Sequence, residues 1–147
     1  MAGTGVIRCP GELETLLGSC VGVAIWDRST KIGALAHVVL PESNGATKTP
    51  GKFADTAIDE LKRLMLAEGA MGLSLTAKIA GGAAMFGKAK DSDIGIRNRE
   101  AVIEQLQKHK IRLLGEHCGG NKGRIIRFNT KDFSVSVRIG RDVVTVL

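Results

Sequence analysis

The sequence predicts an α+β domain with a largely antiparallel or mixed β core, on three observations. Two segments carry apolar residues at helical spacing, six or seven shorter ones carry strand alternation or brief apolar runs, and most connections between them are turn-length. That arrangement weighs against a doubly wound nucleotide fold, which needs strands and helices in regular alternation.

Taken in order, Val21 to Trp26 and Ile32 to Leu40 are apolar runs of strand length separated by a turn-forming stretch from Asp27 to Lys31, which predicts an antiparallel hairpin. The segment from Pro41 to Pro50 is bounded by prolines and rich in turn formers, and reads as a mobile surface loop. Ala54, Ala57, Ile58, Leu61, Leu64 and Met65 then recur at helical spacing, with Gly69 as the stop, so a helix is expected over 53–68. Leu73, Leu75, Ala77 and Ile79 alternate with polar residues and lead into Gly81 and Gly82, the period of a half-buried strand followed by a glycine-rich loop. Asn98 is placed to cap a second helix with Val102, Ile103 and Leu106 as its buried stripe, ending near His109. The remainder reads as strands over about 111–117, 124–128, 133–139 and 142–146.

The 147 residues form about one domain's worth of chain, and a single domain over 1–147 is expected. A hydrophobic fraction of 44% lies in the globular range, and no apolar run approaches the ~20 residues needed to cross a bilayer. The first ten residues lack a basic segment followed by a long apolar core, so a cytoplasmic location without membrane insertion is expected. Cys9, Cys20 and Cys118 are odd in number and irregularly spaced, which points to free thiols rather than a disulfide framework. The net charge of +6 is scattered, and with no tyrosine and 3% aromatics a solvated basic surface accounts for it better than a nucleic-acid footprint.

The residues with chemistry begin at Cys20. Gly18, Ser19 and Gly22 surround it with little bulk, leaving the sulfur accessible and bringing backbone N–H groups close, the material of an oxyanion hole. Gly81 and Gly82 are further candidates for that role. If Trp26 pairs with Lys31 across a four-residue loop, Cys20 faces His37 directly, whereas pairing Trp26 with Ile32 would send the two side chains to opposite faces. The sequence leaves both registers open. A thiol beside an imidazole can open an amide through a thioester, and a third group should hold the ring; Thr15, five residues before Cys20, can supply it if the chain folds back there. Against this stands the plain alternative that a small cysteine among glycines and a strand histidine are ordinary core residues.

Six segments occur in an order that is more specific than any one of them: Leu17-Gly-Ser-Cys-Val-Gly-Val23, Ala36-His37-Val-Val-Leu-Pro41, Lys52-Phe-Ala-Asp-Thr-Ala57, Lys78-Ile-Ala-Gly-Gly-Ala83 with Met85-Phe86, Ile94-Gly-Ile-Arg-Asn98 and Gly119-Gly-Asn121. Over about residues 13–130 this pattern resembles the CheD family. The resemblance implies a protein-glutamine glutaminase, an amidohydrolase that converts glutamines on the cytoplasmic helices of chemoreceptors into glutamates and releases ammonia. Its Cys, His and Thr triad maps onto Cys20, His37 and Thr15. It also implies a sandwich-like β core flanked by two or three helices, similar to the deamidase domain of cytotoxic necrotizing factor toxins, and a partner in the phosphatase CheC. No cofactor and no metal are expected.

Other patterns carry less. Gly82 to Lys88 has the spacing of a phosphate-binding loop, but Ala89 stands where Ser or Thr should follow and no apolar helical stripe comes after it. His117 and Cys118, adjacent on a strand, should point to opposite faces, and no second pair completes a metal set with His109. Asp55, beside Lys52 and Thr56, reads as a helix-terminus charge. Two rival functions remain: a non-enzymatic adaptor regulating CheC, disfavoured by intact Cys20 and His37, and an RNA-binding domain using Gly119 to Arg124, disfavoured by the lack of aromatic platforms.

Overall fold

The computed structural model describes residues 3–46, 48–72, 74–85, 89–141 and 143–147. Among the described residues nine strands form two sheets, joined by two α-helices: β1 (Gly3–Arg8), β2 (Glu12–Leu17), β3 (Val21–Asp27), β4 (Ile32–Val38), α1 (Ala54–Ala67), β5 (Leu75–Gly81), α2 (Ala89–Lys108), β6 (Arg112–Cys118), β7 (Arg124–Asn129), β8 (Ser134–Ile139) and β9 (Val143–Val146). The first sheet has the order β1-β4-β3-β5-β6 and the second β2-β7-β8-β9. Every pairing is antiparallel except β5 with β6, where α2 supplies the long crossover that parallel neighbours require. This is the expected α+β architecture with a sandwich-like core.

Side-chain alternation shows how the layers stack. In β3, Val21, Val23 and Ile25 pack with Ala57, Ile58 and Leu61 of α1 and Val102 and Leu106 of α2, while Ala24 and Trp26 pack with Leu17, Ile126 and Phe128 of the second sheet. Helices therefore cover one face of the first sheet and the second sheet covers the other, and β3 and β4 are buried along their whole length. That double burial explains why the two strands read as continuous apolar runs rather than as clean alternation.

The long helix begins one residue later than expected, at Ala54, and ends in a closing motif in which the N–H of Gly69 donates to Leu66 O and that of Ala70 to Met65 O. The expected loop from Pro41 to Pro50 is exposed over most of its described residues but anchored: Asp55 N–H donates to Pro41 O, and the Asp55 carboxylate accepts from the Ser43 N–H and hydroxyl. Asp55 is thus in the first turn of α1, as a helix-terminus charge should be, and also holds this loop.

Three expectations are corrected. The second helix starts at Ala89, not at Asn98, which lies buried inside it. Its early part carries Gly95 rather than a large apolar residue because α2 crosses a backbone there; a Cβ on Gly95 would lie 2.6 Å from Gly82 O. Strands β1 and β2, polar-rich edge strands, were not marked by any apolar run. The β3–β4 hairpin pairs Trp26 with Gly33 and Asp27 with Ile32, two residues away from the first register considered. The reason is Asp27, which belongs to the strand and whose carboxylate closes the turn by accepting from the Ser29 N–H and hydroxyl and from the Thr30 hydroxyl. Leu73, counted in the expected strand, lies outside the described residues, as do Phe86 to Lys88 of the loop resembling a phosphate site.

Candidate active site

A shift of two residues keeps every side chain on its own face, so the hairpin still puts Cys20 and His37 on the same side of the first sheet. Gly22, not Cys20, sits directly opposite His37; Cys20 precedes β3 by one residue and is therefore a diagonal neighbour of the imidazole. Gly22 has no side chain to separate them. The face they share is the one turned to the second sheet, where Cys20 packs against the cluster that includes Leu17 and Ile126.

Thr15 reaches this place by a different route from the one the sequence implied. It does not fold back within the hairpin; it lies on β2, paired opposite Ile126 of β7 in the second sheet, with Leu13, Thr15 and Leu17 turned inward. From there its Oγ1 is 2.8 Å from Nδ1 of His37. His37 is 6% exposed, so this hydroxyl bridges the two layers in partly buried surroundings.

Backbone contacts fix the loop that carries the thiol. The N–H of Gly82 donates to Cys20 O at 2.8 Å and that of Ala83 to Gly18 O at 3.0 Å. Gly81 has φ of +116°, and a Cβ there would fall on the Cys20 carbonyl oxygen, so only glycine permits this approach. The N–H groups of Gly82 and Ala83 thus grip the Cys20 loop by its carbonyls, and the Gly82 N–H is engaged there rather than aimed at a substrate. Ser19 O accepts from Asn98 Nδ2.

Burial dominates the electrostatics. It raises the Cys20 thiol above its ordinary value and lowers the His37 imidazole below its own, so both groups rest in their neutral forms at neutral pH. The backbone N–H of Cys20 pulls the other way and favours the thiolate. Nδ1 being engaged with Thr15, Nε2 is the nitrogen left to take a proton. A thiol and an imidazole on one sheet and a hydroxyl reaching the ring from the other are groups that nucleophilic acyl transfer can use.

The other expected features settle elsewhere. Cys118 packs on the helix side of the first sheet, and burial followed by Glu116 pushes its thiol up to about 11. His117 faces Arg124, and His109 lies 3.4 Å from Asp59; among the described residues no group of three or more potential ligands could hold a metal ion. Arg124 is buried, with its guanidinium donating to the carbonyls of His117, Gly119 and Lys122, so it holds the Gly119–Gly123 loop instead of offering a phosphate contact. Sequence reasoning placed Asn98 as a helix cap and so missed its burial inside α2 and its contact with Ser19 O, for which local spacing gives no signal. Among the described residues no helix is long and apolar enough to cross a membrane.

The chain as a whole is similar to proteins already known. The family model described as CheD chemotactic sensory transduction matches residues 39–139. A protein of Methanococcus maripaludis (strain C6) named probable chemoreceptor glutamine deamidase CheD is 47% identical over 148 residues, covering 99% of this chain and 96% of its own length. The chemoreceptor glutamine deamidase CheD of Thermotoga maritima is 47% identical over 134 residues, covering 90% of this chain and 85% of its own. A Clostridium novyi protein named probable chemoreceptor glutamine deamidase CheD is 44% identical over 144 residues, covering 94% and 89%. With a family match across most of the chain and relatives this similar from end to end, the chain belongs to the CheD family.

Proposed function

We propose that this protein is a cytoplasmic hydrolase that deamidates glutamine side chains of chemoreceptors to glutamates, with Cys20 as nucleophile, His37 as base and Thr15 as the group that orients the ring. The observation that carries this reading is the 2.8 Å contact between Thr15 Oγ1 and His37 Nδ1, made across two sheets on the face that also bears Cys20. The names of its relatives in Thermotoga maritima and Methanococcus maripaludis support the substrate class.

The chemistry follows from the neutral resting pair. As the sulfur attacks the carboxamide carbon, His37 Nε2 takes the thiol proton, so no free thiolate has to be maintained in a site whose burial opposes it. The Nδ1–H donates to Thr15 Oγ1 and keeps the ring aimed while it is charged. The imidazolium returns the proton to the departing nitrogen, ammonia leaves, and a thioester joins the glutamyl side chain to Cys20. Water activated by His37 then opens the thioester, giving glutamate and the free thiol.

Incubation with a receptor cytoplasmic fragment tests this directly. The fragment should gain ~1 Da per glutamine converted with the wild type and nothing with Cys20→Ala, because the thioester route needs the nucleophile. Equal conversion by the variant would remove the mechanism. The same reading extends to CheC as a protein partner, checked by whether CheC copurifies with the wild-type chain.

A further inference from the structure

Asn98 is fully buried in the interior of α2, a position where asparagine is a poor choice on local grounds. Its Nδ2 donates to two carbonyls, Ser19 O at 3.1 Å and Val39 O at 2.9 Å. Because both acceptors are carbonyl oxygens, only the NH2 end of the amide can face them. The other end, Oδ1, is buried with no hydrogen-bond partner among the described residues. A half-satisfied buried amide weakens the fold, so what distinguishes this position is what Nδ2 holds. One carbonyl immediately precedes Cys20 and the other lies two residues beyond His37, so a single side chain ties the nucleophile's loop to the end of the base's strand.

The Ser19–Cys20 peptide is trans, which points the Cys20 N–H opposite to the Ser19 carbonyl. Asn98 holds that carbonyl toward the helices, so the N–H is turned toward the face that carries the thiol. The neighbouring donors are engaged: Gly82 N–H with Cys20 O and Ala83 N–H with Gly18 O. Resting on the deamidase reading, we propose that Asn98 is a positioning residue that sets the Ser19–Cys20 peptide so that the Cys20 N–H receives the oxyanion. When the S–C bond forms, the carbonyl π electrons move to oxygen, the thiol proton goes to His37, and the new anion accepts from that N–H.

The test uses the full chain with Cys9→Ala and Cys118→Ala, leaving Cys20 as the one thiol. Asn98→Leu and Asn98→Asp are compared with Val102→Ala, a stability control buried on the same helix. Iodoacetamide labelling of Cys20 against pH should show a midpoint raised by about half a pH unit or more in the Asn98 variants, as a donor leaves the thiolate. On a receptor fragment, kcat should fall about tenfold or more with KM within about twofold. Val102→Ala should lower the unfolding temperature and leave the labelling midpoint unmoved. A folded Asn98 variant with unchanged midpoint and kcat overturns the proposal. A wild type inert toward glutamine whose labelling still depends on Asn98 supports the positioning role and overturns the deamidase reading instead. Should neither Asn98 variant fold, the wild type suffices: a peptide bearing glutamate γ-semialdehyde, which forms a thiohemiacetal at Cys20, should shift the Cys20 amide resonance more than those of Ser19 or Gly82. A Cys20 amide that does not move overturns the proposal.

Discussion

At the scale of residues, the proposed mechanism rests on two opposed effects of burial and one hydroxyl. Burial lowers His37, so the acid limb of kcat/KM should lie below the ordinary histidine value of about 6.5, since activity is lost only when the ring protonates at rest. A pH–rate profile with its acid limb above that value would contradict a neutral resting base. Thr15→Val removes the ring's partner at nearly constant volume and should lower kcat about tenfold to a hundredfold, while Thr15→Ser should keep most of it. Steady-state kinetics on a receptor fragment reads both. Cys20 stood out in the sequence for its glycine setting, and His37 could share its face only in one of two open registers; the structure places both on one face. Thr15 was named without its route, because a contact between strands of different sheets leaves no mark in local spacing.

At the scale of elements, the β3–β4 hairpin sets the face on which Cys20 and His37 meet, and Asp27 sets the hairpin. Burial raises that carboxyl, but donors from Met71, Ser29 and Thr30 outweigh it and bring it down to about 2. A carboxyl lowered from about 4 stabilises the fold at neutral pH, and the contribution, on the order of 2 kcal/mol, is lost as pH falls from about 4 to about 2. Denaturant unfolding of Asp27→Ala should therefore show a stability loss at pH 7 that narrows toward pH 2. The turn's composition announced a hairpin, yet the exact register depended on whether Asp27 belonged to strand or turn, which its carboxylate contacts decide. Helix α1 was legible from its stripe and its glycine stop. The first half of α2 was not, because Gly95 serves a close backbone crossing instead of an apolar face.

At the scale of the whole molecule, the site is an interlayer feature: Cys20 and His37 ride on the first sheet and Thr15 on the second. What holds the layers together is the cluster of Trp26, Leu35, Ile126, Phe128 and Phe133, with the Trp26 and Phe133 rings stacked at 5.5 Å. Phe128→Ala should cost about 3–5 kcal/mol by thermal or denaturant unfolding, and should lower kcat even where the protein remains folded, because β7 carries the β2 strand on which Thr15 stands. The fold class was readable from periodicity alone. The division into two sheets was not, since β1 and β2 are short edge strands whose pairing is decided by partners more than a hundred residues away in the case of β2.

The most direct test of the central claim is rapid acid quench of the protein mixed with a glutamine-bearing receptor peptide, followed by intact-mass and peptide-level mass spectrometry. The account predicts a transient adduct of peptide mass less ammonia, confined to Cys20 and absent from Cys20→Ala. Turnover with no adduct on Cys20, or with the adduct on Cys118, would contradict it.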